Sequence, residues 1–123
     1  MQCIFENVII KGNIIKGHGI GRKINFPTLN IYYDGAENGV FAGKVKLDGK
    51  IYKAAVHIGR AQTLNRSDNR LEAYLIDFDQ GINPGEKIEV NLINKIRETK
   101  KFDNLKQLKA QIAKDVETVK KLL

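Results

Sequence analysis

The chain has 123 residues, 42% of them hydrophobic, and a formal net charge of +7. That length fits one domain over residues 1–123, since domains run about 100–200 residues, and the charge favours anionic ligands such as nucleic acid or nucleotide phosphates. No run approaches the ~18 apolar residues of a membrane span, the start MQCIFENVII is not built like a secretory signal, and the single Cys3 gives neither a disulfide nor zinc-ligand spacing, so a cytoplasmic, monomeric protein is expected.

Gln2 to Ile10 alternates loosely and reads as a first strand, with Lys11-Gly12 as a bend after it. The segment Gly17 to Asn30, GHGIGRKINFPTLN, follows. Glycines at 17, 19 and 21 let the backbone turn tightly and bring its N–H groups close to a ligand. Arg22 and Lys23 add positive charge beside those donors. Thr28 and Asn30, two apart, point to one side of an extended strand. A cationic flap followed by two oxygen ligands suits a metal-bound polyphosphate. On spacing alone, a plain glycine-rich bend stands at even odds with that reading, because the run fits neither the P-loop nor G-x-G-x-x-G.

Thr28 to Tyr33 is a short strand closed by Asp34-Gly35. Val40 to Leu47 and Lys50 to Ile58 flank Asp48-Gly49, and an Asp-Gly pair between such runs predicts a hairpin with a type I′ turn. Gly59 to Asn69 is a polar loop. Arg70 to Asp79 is apolar on both faces, with Leu71, Ala73 and Leu75 on one and Tyr74, Ile76 and Phe78 on the other, which predicts a central strand. Gln80 to Gly85 is a turn, and Lys87 to Asn94 a last strand. Leu105, Leu108, Ile112, Val116, Val119 and Leu123 then recur at helical spacing behind Asp103 as N-cap. The pattern predicts a closed or nearly closed antiparallel barrel of about six strands with the helix packed outside.

Glu72 shares a strand face with Tyr74, Ile76 and Phe78. A carboxylate on an apolar face has to be paired, metal-bound or at a pocket mouth, where it can act as a general base. A rim glutamate paired with Arg70 or a lysine is the competing reading, and spacing alone favours it. His18 and His57 form no metal pair, and Asp77 and Asp79 read as a strand end in water. From Lys95 to Leu123 there are nine Lys or Arg against four acids, which reads as a solvated helix face.

Taken in order, GHGIGRKINFPTLN, GVFAGKV, VHIG, RLEAYLIDFD and IRETKKFDNLKQLKAQIAKDV resemble the riboflavin kinase family over nearly the whole chain. The resemblance implies a six-stranded Greek-key barrel and transfer of the ATP γ-phosphoryl group to the 5′-hydroxyl of riboflavin, giving FMN. It implies that Thr28 and Asn30 hold Mg²⁺ and the nucleotide phosphates and that Glu72 accepts the ribityl hydroxyl proton. The flap, with Gly17, His18, Gly19, Gly21, Arg22 and Lys23, would close over the phosphates, and the segment near Arg97 would help to cover the flavin. Leu29 replaces the family's alanine, Asn25 a glycine and Thr99 a proline, Pro84 stands for an aromatic residue, and Gly59 to Leu64 lacks the usual Pro-Thr-Phe. A stand-alone kinase without an adenylyltransferase domain, a nucleic-acid partner or a membrane is expected. The rival readings are a basic β-barrel binding single-stranded nucleic acid, disfavoured because the lysines gather on the helix, and a flavin-binding relative without turnover.

Overall fold

The computed structural model describes residues 8–16, 27–59 and 70–123. These form β1 (Val8–Asn13), β2 (Thr28–Tyr32), β3 (Gly39–Leu47), β4 (Lys50–Gly59), β5 (Arg70–Leu75), β6 (Lys87–Arg97) and α1 (Leu105–Leu122). The strands make one sheet in the order β1-β6-β3-β4-β5-β2, antiparallel at each pairing. Its two edges meet where the Ile15 N–H donates to the Asn30 carbonyl at 2.8 Å, an isolated antiparallel bridge. The sheet therefore curls into a half-barrel whose two edges meet at that one bridge.

Alternation along the strands sorts the side chains into two clusters. Leu29, Ile31, Phe41, Val56, Leu71 and Leu92 belong to the barrel interior. Ala42, Ala55, Tyr74 and Ile76 face outward and pack against Leu108, Ile112, Val116 and Val119 of α1. Ala42 and Ala55 are direct cross-strand partners, and their small side chains let the helix approach the sheet. A lone 18-residue helix is marginal in water. Burying an Ile, Leu or Val contributes about 1.5–3 kcal/mol each, so docking is what holds α1. The predicted helical stripe is the docked stripe.

The Asp-Gly turn forms as predicted, with φ of 51° at Asp48 and 76° at Gly49, the left-handed pair that a type I′ turn needs. Several boundaries differ. Lys11 and Gly12 are not a bend but lie within β1, paired with Glu89 and Ile88. The strands approach closely there: a Cβ on Gly12 would stand 3.0 Å from Ile31 Cδ1, tight enough that the Ile31 side chain would have to give by a few tenths of an ångström. β5 ends at Leu75 rather than Asp79. Asp77 takes a left-handed φ of 56°, which breaks the alternation and sends Phe78 to the interior, edge-on to Tyr52 at 5.0 Å. Phe78 therefore does not share the Glu72 face. β6 runs on past Asn94 to Arg97. The helix cap is Asn104 rather than Asp103: Asn104 Oδ1 accepts from the Gln107 N–H at 2.9 Å, while the Asp103 N–H donates to Gln107 Oε1 at 3.2 Å.

Candidate functional site

Strand register gathers the candidate residues into one lateral row. Asn30 of β2 faces Glu72 of β5. On the other side of Glu72 stands His57 of β4, then Val40 of β3, then Arg97 at the end of β6. The neighbouring row on the same face runs Thr28, Tyr74, Ala55, Ala42. Both rows lie on the outer face of the barrel, the face that α1 partly covers. Directly opposed side chains stand about 4.5–5.5 Å apart at Cβ and diagonal ones about 7–8 Å. Glu72 is thus within one side chain's reach of both Asn30 and Thr28.

Glu72 is 7% exposed, Asn30 6% and His57 1%. Glu72 is therefore not a solvated rim carboxylate, and a charge so placed requires partners. Its Oε1 lies 3.8 Å from His57 Nδ1, and its Oε2 accepts from the Tyr74 hydroxyl at 3.3 Å. Arg70, the expected partner of a rim glutamate, stacks on the Tyr32 ring at 5.6 Å and donates to the Lys16 carbonyl at 3.5 Å.

Arg97 is held by α1. Its Nε and one terminal nitrogen donate to the two oxygens of Asp115 at 2.9 and 2.8 Å, and the other terminal nitrogen donates to the Glu98 carbonyl at 3.0 Å. Gln111 adds a bond to Asp115 at 3.1 Å. The fork geometry matches guanidinium to carboxylate and fixes the end of β6 on the helix. Arg97 lies three strands from Glu72, about 14 Å along a flat sheet. In the connection after β2, the Tyr33 hydroxyl donates to Glu37. Burial first, and the Glu37 carboxylate second, push that phenol up to about 12.

The flap residues Gly17, His18, Gly19, Gly21, Arg22 and Lys23 lie outside the described residues, as do Asn25 and most of the loop after Gly59. The structure brings together Thr28, Asn30 and Glu72 and sets Arg97 at the far end of their row. The sequence reading set Tyr74 on the face of Glu72 but gave it no role, and it gave none to His57 or Asp115. His57 carried a usable signal, since it alternates out of the interior face of its strand; only the pairing of β4 with β5 shows that it meets Glu72.

Among the described residues no three His, Cys, Asp or Glu side chains cluster as a metal site. Thr28, Asn30 and Glu72 offer only hard oxygen donors with a single negative charge. That set fits a hard divalent cation that arrives with phosphate and water as its other ligands. It does not fit a self-sufficient structural metal site.

The riboflavin kinase family model, described as flavokinase, matches residues 5–123. The chain belongs to the riboflavin kinase family. It is 43% identical over 115 residues to a bifunctional riboflavin kinase/FMN adenylyltransferase of Haemophilus influenzae, with 90% of this chain and 37% of that protein covered. It is 38% identical over 116 residues to the RNA-binding riboflavin kinase RibR of Bacillus subtilis, with 92% and 50% covered. The chain thus spans half or less of the length of these relatives. A riboflavin kinase structure from Trypanosoma brucei superposes with a TM-score of 0.67 at 23% identity, covering 97% of this chain and 81% of that one, and shows the same fold. No helix among the described residues is long and apolar enough to cross a membrane.

A second feature of the outer face lies beyond the site, toward the Asp48-Gly49 turn. One row there is Lys53, Lys44, Asn91, Ile9, and the next is Ile51, Lys46, Glu89, Lys11. Lys87 pairs with Asn13 beside them. Lys11 meets Glu89 at 3.5 Å, whereas Lys44, Lys46, Lys53 and Lys87 have no ion pair among the described residues. Lys11, Lys46 and Lys87 line a groove of about 510 Å³. Lys44 directly opposite Lys53 is an arrangement that costs stability.

Proposed function

We propose that this chain is a riboflavin kinase that transfers the γ-phosphoryl group of ATP to the 5′-hydroxyl of riboflavin, releasing ADP and FMN. The observation that carries the reading is the direct opposition of Glu72 to Asn30, with Thr28 one pleat along the same face. In the proposed step the riboflavin O5′ attacks the γ-phosphorus, the bond to the bridging oxygen of ADP breaks, and the hydroxyl proton passes to Glu72. Positioning and charge neutralisation dominate such transfers, and a placed base adds roughly 10²–10⁴-fold.

Thr28 and Asn30 are the proposed holders of Mg²⁺ and the phosphates. A bound Mg²⁺ would neutralise charge on the phosphoryl oxygens. Being uncharged, Thr28 and Asn30 bind the metal–nucleotide complex rather than the bare metal. Gly17, His18, Gly19, Gly21, Arg22 and Lys23 are the proposed lid over the phosphates, and Arg97 is proposed to stand beside the flavin. Partial burial of the site excludes water from the acceptor hydroxyl, which favours kinase over ATPase chemistry. The deciding experiment incubates the purified protein with riboflavin, ATP and Mg²⁺. FMN and ADP are expected in equal amounts by chromatography. No FMN with any divalent metal defeats the reading.

A second reading is favoured by the lysine face. RibR is named as RNA-binding, and five strand lysines on one uncovered sheet surface give this chain a place to hold a phosphodiester backbone. Among the described residues no aromatic side chain interleaves with them, so the expected binding is electrostatic and without sequence preference. A single-stranded RNA oligonucleotide should bind with steep salt dependence, and Lys44→Glu with Lys53→Glu should weaken it at least about tenfold and reduce the salt slope by about 1 or more. FMN formation should be unaffected by the pair. RNA binding that survives the double change removes this face from the role.

A further inference from the structure

We propose that His57 is the positioning residue for the Glu72 carboxylate. Its effect on turnover depends on the kinase activity proposed above, whereas its contact with Glu72 does not. His57 Nδ1 lies 3.8 Å from Glu72 Oε1, across the β4–β5 pairing in which the two residues are direct partners. The imidazole is 1% exposed and sits between Val40 and Glu72 in its row, so it has no solvent to swing into.

The two oxygens of Glu72 are approached from different strands. Tyr74 reaches Oε2 from β5 itself and travels with Glu72 if that strand shifts. His57 reaches Oε1 from β4 and so ties the carboxylate to a neighbouring strand of the sheet. A glutamate otherwise samples several rotamers, and each misplaced one takes the base away from the acceptor hydroxyl. Fixing the carboxylate before substrate binds removes that loss, since displacement of a catalytic group by even 1 Å is costly. Of the two contacts the 3.8 Å one is longer than a hydrogen bond, as catalytic contacts often are before substrate is bound.

The test uses His57→Leu and His57→Asn in the wild-type and Glu72→Gln backgrounds. Leucine keeps an apolar filler of similar bulk without a polar edge, and asparagine restores an N–H near the Nδ1 position. His57→Leu is expected to lower kcat by about fivefold or more with KM for riboflavin within about twofold, and His57→Asn to recover most of the loss. In the Glu72→Gln background His57→Leu should add nothing, because the group it places is already inert. An unchanged kcat, or an equal loss in both backgrounds, overturns the proposal. The urea midpoints of the same variants report on the contact without turnover. Their shifts should be non-additive, and additive shifts overturn the contact even if FMN is formed. A wild-type protein that forms no FMN but keeps non-additive midpoints defeats the kinase reading and leaves the contact standing.

Discussion

Glu72→Gln is expected to lower kcat for FMN formation by at least about tenfold, a floor set below the roughly 10²–10⁴-fold that a placed general base supplies. Glutamine keeps the length and nearly the volume of the side chain, and its amide oxygen can still accept the Tyr74 hydroxyl. The site should therefore stay folded while losing the group that takes the proton. KM for ATP should change little, since Thr28 and Asn30 on β2 are untouched, and the loss should appear in kcat. Single-turnover quench experiments separate the chemical step from FMN release. A variant that turns over at the wild-type chemical rate removes Glu72 from the role of base, and the proton must then leave by another route. A variant that binds neither substrate would instead mark Glu72 as a binding residue.

The parts of this fold that were legible in the sequence are those set by short-range rules. The Asp48-Gly49 turn demands positive φ at two adjacent residues, and few residue pairs supply it. The α1 stripe follows from a 3.6-residue period over five turns. The misplaced features depended on contacts between distant segments. Gly12 reads as a bend by local rules and is a strand residue because it pairs with Ile88 of β6, far along the chain. Phe78 reads as a partner of Glu72 by period two, and the left-handed Asp77 sends it inside. The site divides the same way. Thr28, Asn30 and Glu72 could be singled out by residue type and order. That Asn30 and His57 flank Glu72 is a matter of register between three strands, which no local pattern encodes. The lysines at 11, 44, 46, 53 and 87 are scattered in sequence and gather only when β1, β6, β3 and β4 pair, so a count by segment placed the positive charge on the helix.

Asp115→Ala should destabilise the protein by about 3 kcal/mol, the low end of what breaking a buried ion pair costs. Asp115 is 4% exposed on a helix that otherwise reads as a lysine-rich surface. It takes both forks of Arg97, whose side chain is 17% exposed, and its removal takes that bidentate carboxylate away from a largely buried guanidinium. The low end applies because Arg97 retains some contact with water and its bond to the Glu98 carbonyl. The cost should come chiefly from desolvated charge that Asp115 no longer balances, so replacing both partners, as in Arg97→Met with Asp115→Leu, should recover much of it. Urea denaturation of the two variants decides the point: a cost near zero for Asp115→Ala would mean that Arg97 finds water without strain. The same double variant separates two roles of Arg97. If it only anchors α1 to β6, riboflavin binding survives in the restabilised protein; if it stands beside the flavin, riboflavin affinity falls while stability returns.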